Sequence, residues 1–156
     1  MLGGRDMSNY MKLELSALSE NESFARSVVA GFCLPLNPTL TELSDIKTAV
    51  SEAVTNCVVH GYKRKGEDKT ITLECSIRKD EENGVGELHI VVCDNGCGIE
   101  DVERAKTPFF TTLEGEERSG MGFTIMQAFM HEFSVESEVG KGTRVTMVKR
   151  IGAQEE

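Results

Sequence analysis

Residues 70–94 hold the pattern that most restricts this chain's fold. "TITLECSIRK" places Ile71, Leu73, Cys75 and Ile77 at every second position, the signature of a strand with one buried face. "ELHIVVCD" follows and becomes apolar on both faces toward its end, as a central strand does. Between them "DEENGVG" carries Asn83-Gly84, a hairpin turn signal. Two strands joined this way pair antiparallel, so a sheet with an antiparallel hairpin at its centre is the frame for the rest.

Around that hairpin the periodicities alternate. "MKLELSAL", residues 11–18, reads as a strand with one wet face. Ser19 and Glu22 have capping-box spacing, which predicts a helix from there to about Leu34, where "PLNP" breaks it. Thr39 and Glu42 repeat the spacing and predict a second helix to Gly61, with Leu43, Ile46, Val50, Ala53, Val54, Cys57 and Val58 at helical intervals. "KRKGED", residues 63–68, is a charged turn. Residues 94–119 read as loop with a short helix around 99–106. A helix is expected over 122–132, then strands over 133–139 and 143–150 joined by "GKG".

The order β-α-α-β-β-loop-α-β-β predicts a two-layer α/β sandwich of the α+β class. Its sheet is expected to be mixed, largely antiparallel and covered by helices on one face. At 156 residues one domain is expected. It is placed at 11–150, after a disordered start or expression remnant at 1–10 and before a tail at 151–156. A net charge of −9 argues against general affinity for nucleic acid or an anionic membrane. The sequence contains neither a transmembrane-length apolar run nor a secretory signal pattern, so a cytoplasmic protein is expected. Its five cysteines, scattered through apolar patterns, read as reduced thiols.

Four short stretches carry chemistry. In "SEAVTNCVVHGY", Glu52 and Asn56 interrupt an apolar helix four positions apart, hence on one face. An Asn oxygen suits a hard cation such as Mg²⁺, and a neighbouring carboxylate suits the orientation or deprotonation of a hydroxyl. The same pair also fits a polar stripe on an amphipathic helix. In "VVCDNGCGI" a hydrophobic strand ends in Asp94, followed by Gly96 and Gly98. That pattern fits a plain turn, or a carboxylate that accepts a hydrogen bond from an exocyclic amine such as adenine's, beside backbone open to a planar ligand. In "ERSGMGFTIM", Gly120 and Gly122 precede a helix whose N–H groups suit phosphate, and Arg118 stands within reach of a terminal phosphate. In "GKGT" the Thr143 hydroxyl is placed to touch a base or its water.

Taken in order, ExxxN, DxGxG, GxG and GT resemble the Bergerat-type ATP-binding fold shared by gyrase, certain heat-shock chaperones, histidine kinases and mismatch-repair ATPases. The resemblance runs from about residue 11 to 150. It implies that Asn56 holds Mg²⁺ bridging the phosphates and that Asp94 binds the adenine amine. Gly96, Gly98, Gly120, Met121 and Gly122 would line the nucleotide in lid segments. GxxxxGK[ST] is absent, so this is not a P-loop chain.

"SENESFAR", "SEAVTNCVVHGY", "PFFTT" and "ERSGMGFTIM" further resemble the anti-sigma serine kinases of spore-forming bacteria, in their sporulation and stress-response branches. That resemblance implies an enzyme that sequesters a sigma factor when loaded with ATP and phosphorylates an anti-sigma antagonist on serine. It also implies a homodimer, Glu52 as base or orienter, Arg118 as a catalytic cation, and Arg26 at the partner surface. An ATP-switched binding module without kinase activity is the alternative. A histidine kinase is disfavoured, because His60, His89 and His131 lack the setting of a phosphoacceptor. Asn95 stands where many relatives carry Glu, and Cys97 lies between the glycines. Thr107, Thr111 and Thr112 are expected near a closing lid.

Overall fold

A computed structural model describes residues 7–61, 69–107 and 121–152. The elements are β1 (Met7–Ser16), α1 (Glu20–Phe32), a 3-10 turn (Leu34–Leu36), α2 (Leu40–Asn56) closing in a π-helical turn (Cys57–Gly61), β2 (Thr70–Lys79), β3 (Gly86–Asp94), α3 (Val102–Ala105), α4 (Gly122–Phe129), β4 (Glu132–Glu138) and β5 (Gly142–Ile151). Gly120, Arg118, Thr111, Thr112, the turn at 63–68, the side chain of His60 and residues 153–156 lie outside the described residues.

The five strands form one sheet in the order β1-β2-β3-β5-β4. Every ladder is antiparallel, which corrects the expectation of a mixed sheet. The connection from β3 to β4 runs through the helices and does bring β4 parallel to β3. The β4–β5 hairpin then folds β5 into the gap, where it pairs antiparallel with both. The parallel strands are therefore never neighbours.

Register aligns the inward-facing side chains in rungs. Leu13, Leu73, Val92, Val145 and Val135 form one; Met11, Cys75, Ile90, Met147 and Phe133 form the next. The helices cover this face. Ala25 and Val29 of α1, Ile46, Ala49, Val50 and Val54 of α2, and Met126 of α4 are fully buried in the same core. Each buried Ile, Leu or Val contributes on the order of 1.5–3 kcal/mol of transfer free energy. The outer face is wetter, with Tyr10 60 % exposed beside Ser76 and His89.

The Thr39–Glu42 capping box forms as expected: Glu42 N–H donates to Thr39 Oγ1 at 3.1 Å, and Thr39 N–H to Glu42 Oε1 at 2.9 Å. The Ser19–Glu22 box does not. Ser19 has helical backbone angles, and its side chain caps nothing. An N-cap must leave the helical region to aim its oxygen at the first turn, and Ser19 has not. Strand β1 begins at Met7, four residues before the expected start, because Met7 to Tyr10 find partners along β2 as far as Lys79. Helix α1 stops at Phe32, and α4 stops at Phe129 because Glu132 already pairs with Val148. The β2–β3 connection closes on Asx bonds, Glu82 N–H to Asp80 Oδ1 and Val85 N–H to Asn83 Oδ1, both at 2.9 Å, with Gly84 at φ 73°.

None of the five cysteines is in a disulfide, and Cys33, Cys57 and Cys75 are buried. Burial pushes the Cys33 thiol up to about 11 and that of Cys75 to about 12, so both stay protonated and inert.

Candidate active site

Helix α2 carries Glu52 and Asn56 one turn apart, both half-buried, as their spacing predicted. What lies against them comes from the other end of the chain. The α-carbon of Gly122, first residue of α4, faces both side chains. A β-carbon there would stand 3.1 Å from Asn56 Nδ2, 3.2 Å from Asn56 Oδ1 and 3.3 Å from Glu52 Oε2. Glycine is what lets the start of α4 approach the polar pair. Met121 is the N-cap residue of α4, and among the described residues no side-chain hydrogen bond caps the helix's first N–H groups. ExxxN and the second glycine of GxG thus meet in space.

The second half of the site is built on Asp94, at the end of β3 and 7 % exposed. Burial pushes its carboxyl above the ordinary range; the Gly96 N–H, the Cys57 thiol and the Thr143 N–H all donate to it and oppose that shift. Gly96 N–H reaches Asp94 Oδ1 at 2.9 Å. Thr143 is the cross-strand partner of Asp94, so the two lie on one rung and one face of the sheet. The carboxylate is therefore held in a fixed orientation at the edge of the helix-covered face.

Two further glycines lie tight against backbone. Gly98 at φ 74° lies against the Glu138 carbonyl, and Gly142 at φ 116° against the Asp94 carbonyl; a β-carbon at either would overlap those atoms. Gly140 N–H donates to Cys97 O at 2.8 Å. The loop after Asp94 and the β4–β5 hairpin thus form one interlocked unit.

Two residues of this site escaped the sequence reading. Cys57 looks like one more apolar helix position, yet its buried thiol donates to Asp94. It directly follows Asn56, so the last residue of α2 and the first of its π-helical turn touch the two halves of the site. Ser137 has no motif at all. It shares the rung of Asp94 and Thr143, and its hydroxyl lies 2.8 Å from Thr143 Oγ1.

Arg26, on α1, sits beside the residue preceding Glu52: its guanidinium donates to Ser51 Oγ and Ser23 Oγ, each at 3.4 Å, with Glu22 Oε1 at 3.9 Å. These are long contacts on a half-exposed side chain. Among the described residues no group of three or more His, Cys, Asp or Glu converges as a metal cage. Asn56 and Glu52 supply hard oxygen donors instead, a set that fits Mg²⁺ carried mostly by phosphate oxygens and water.

A family model described as "Histidine kinase-like ATPase domain" matches residues 15–149. The chain is similar to anti-sigma F factors of several genera. That of Thermoanaerobacter sp. (strain X514) is 52 % identical over 95 % of this chain and 98 % of the relative. The Clostridium acetobutylicum protein is 49 % identical over 96 % and 99 %, and the Geobacillus kaustophilus protein 52 % over 93 % and 94 %. The chain belongs to the anti-sigma F factor family. Within that family's histidine kinase-like ATPase domain, ATP is the nucleotide, and the Asp94 end and the Glu52–Asn56 end are both inside the matched span. Among the described residues of this anti-sigma F factor family member, no helix is long and apolar enough to cross a membrane.

Proposed function

We propose that this chain is a cytoplasmic, homodimeric anti-sigma factor and protein serine kinase. In its ATP-bound state it holds a sporulation sigma factor, and it transfers the γ-phosphoryl of ATP to a serine of an anti-sigma antagonist protein. The observation that carries the reading is the convergence of Glu52, Asn56 and the start of α4 around Gly122. A carboxylate, an amide oxygen and a helix N-terminus in one place are what phosphoryl transfer to a hydroxyl needs.

In this reading Asp94 accepts a hydrogen bond from the adenine amine, and the phosphates lie toward α2 and the N-terminus of α4. Met121 and Gly122 offer backbone N–H groups to them; the roles assigned from sequence to Gly120 and Arg118 at the phosphates fall outside the described residues. The Asn56 amide oxygen would hold Mg²⁺, and the cation would supply charge neutralisation at the phosphates. Glu52 orients the incoming serine hydroxyl and takes its proton. The serine oxygen bonds to the γ-phosphorus, the bond to the β–γ bridging oxygen breaks, and ADP leaves. Positioning and charge stabilisation supply most of the catalysis. Arg26, beside Ser51 on the outer surface of α1, offers a cation to the partner proteins.

The test is incubation with Mg-ATP and the antagonist protein, read by intact mass. One added phosphate on the antagonist, lost with Glu52→Gln, supports the kinase. ATP binding without transfer supports the ATP-switched binder, and a sigma-factor pull-down with ATP against ADP then measures the switch.

A further inference from the structure

The hydroxyl of Ser137 makes three contacts, and together they fix where every proton in the group must be. Ile99 N–H donates to Ser137 Oγ at 2.7 Å. The Gly142 carbonyl lies 3.0 Å from Ser137 Oγ. Thr143 Oγ1 lies 2.8 Å from it. A serine hydroxyl has one proton to give and two lone pairs to offer. A carbonyl can only accept, so the Ser137 proton goes to Gly142 O. Ile99 N–H occupies one lone pair. The contact with Thr143 is then left to the second lone pair, and Thr143 must be the donor.

Thr143 has thereby spent its only proton inward, on Ser137. Any further partner of Thr143 Oγ1 meets lone pairs alone. Beside it on the same rung stands Asp94, whose ionised carboxylate also only accepts. The end of the sheet therefore presents an edge made of acceptors, held by Ile99 and Gly142 through one side chain.

We propose that Ser137 is a positioning residue for base specificity: by holding Thr143 as an acceptor, it selects a purine bearing a 6-amino group over one bearing a 6-oxo group. This rests on the ATP-binding reading above. A 6-amino purine brings N–H donors to such an edge, directly or through a water that donates to Thr143. A 6-oxo purine brings a carbonyl oxygen, and it meets oxygen lone pairs with no proton between them. A Thr143 hydroxyl free to rotate would offer its proton to that oxygen, and the discrimination would shrink. Removing or adding a donor at a polar site costs more than removing a methyl group, so one hydroxyl direction is enough to register.

The experiment measures ATP and GTP affinity, by calorimetry with Mg²⁺, for wild type, Ser137→Ala, Ser137→Thr and Thr143→Val, with thermal unfolding of each. The expected result is that wild type prefers ATP and that Ser137→Ala lowers the ATP:GTP ratio about tenfold, mainly through tighter GTP binding. Ser137→Thr, which keeps the hydroxyl, restores the ratio. In a Thr143→Val background Ser137→Ala leaves the ratio unchanged, because the group it orients is gone. A merely structural Ser137 would weaken both nucleotides in parallel with the loss of thermal stability, and that outcome overturns the proposal. So does an unchanged ratio in Ser137→Ala while wild type binds ATP well. A wild type that binds neither nucleotide overturns the ATP reading itself. If Ser137→Ala does not fold, Thr143→Val alone decides: an ATP:GTP ratio equal to wild type overturns the inference.

Discussion

Gly122 packs its α-carbon against the side-chain amide of Asn56, 66 positions earlier in the chain, so closely that a β-carbon would lie 3.1 Å from Nδ2. The start of one helix is thereby seated on the polar stripe of another. Gly122→Ala is expected to cost about 1 kcal/mol of nucleotide binding, roughly fivefold in Kd, because Asn56 and Glu52 must both shift to admit the methyl. Helix propensity favours alanine, so the thermal midpoint should not fall. Calorimetric ATP titration beside a melting curve separates the two; unchanged affinity would mean the contact is incidental.

Glu52 and Asn56 should fail in different ways. Asn56→Ala is expected to abolish Mg-ATP binding, since it removes the one amide oxygen assigned to the cation. Glu52→Gln keeps the shape and should bind ATP within about twofold of wild type while phosphoryl transfer drops by on the order of 10²–10⁴. Single-turnover transfer assays with equilibrium binding check both. Retained transfer in Glu52→Gln would make this carboxylate structural.

Asp94 should trade stability for binding. Its carboxyl is pushed up by burial, so the folded chain holds the proton to higher pH than the unfolded chain does. Stability then falls as pH rises from the unfolded value through the folded one, and above that window the ionised group is a net cost. Asp94→Asn keeps an oxygen for Gly96 N–H and removes the charge. It is expected to melt no lower than wild type at neutral pH, with the difference vanishing in acid, while ATP binding is lost. Melting curves across pH 3–8 test the sign; a destabilised variant at pH 7 would mean that the Gly96, Cys57 and Thr143 donors outweigh desolvation.

Lys149 is 7 % exposed and bridges two helices from the sheet, donating to Asp45 Oδ2 at 3.1 Å and to the Phe129 carbonyl at 2.7 Å. It thus ties the beginning of α2 to the end of α4. Lys149→Met preserves the volume but strands Asp45 and the helix-terminal carbonyl, and it should cost about 1–3 kcal/mol in urea unfolding. Asp45 is partly solvated, which keeps the expected loss below that of a fully buried pair. A stability equal to wild type would show that the bridge is replaced by water.

Much of this architecture is written in local spacing. Alternation at Ile71, Leu73, Cys75 and Ile77 specifies a half-buried strand, the Thr39–Glu42 box starts α2, and a separation of four puts Glu52 and Asn56 on one face; each is a relation between residues two to four apart. The same logic misjudged Ser19, where spacing alone stood in for backbone angles, and the parallel component of the sheet, which β5 removes by inserting between β3 and β4.

What tertiary structure alone decided is which distant groups meet. Ser137 reaches Ile99 across 38 positions, Lys149 reaches Asp45 across 104, and Cys57 turns from a core thiol into a donor for Asp94. No periodicity encodes those meetings. They follow from strand order and register, which are set by the packing of the whole sheet against its helices, and a hydroxyl or thiol gains its role only when the folded chain brings an acceptor to it.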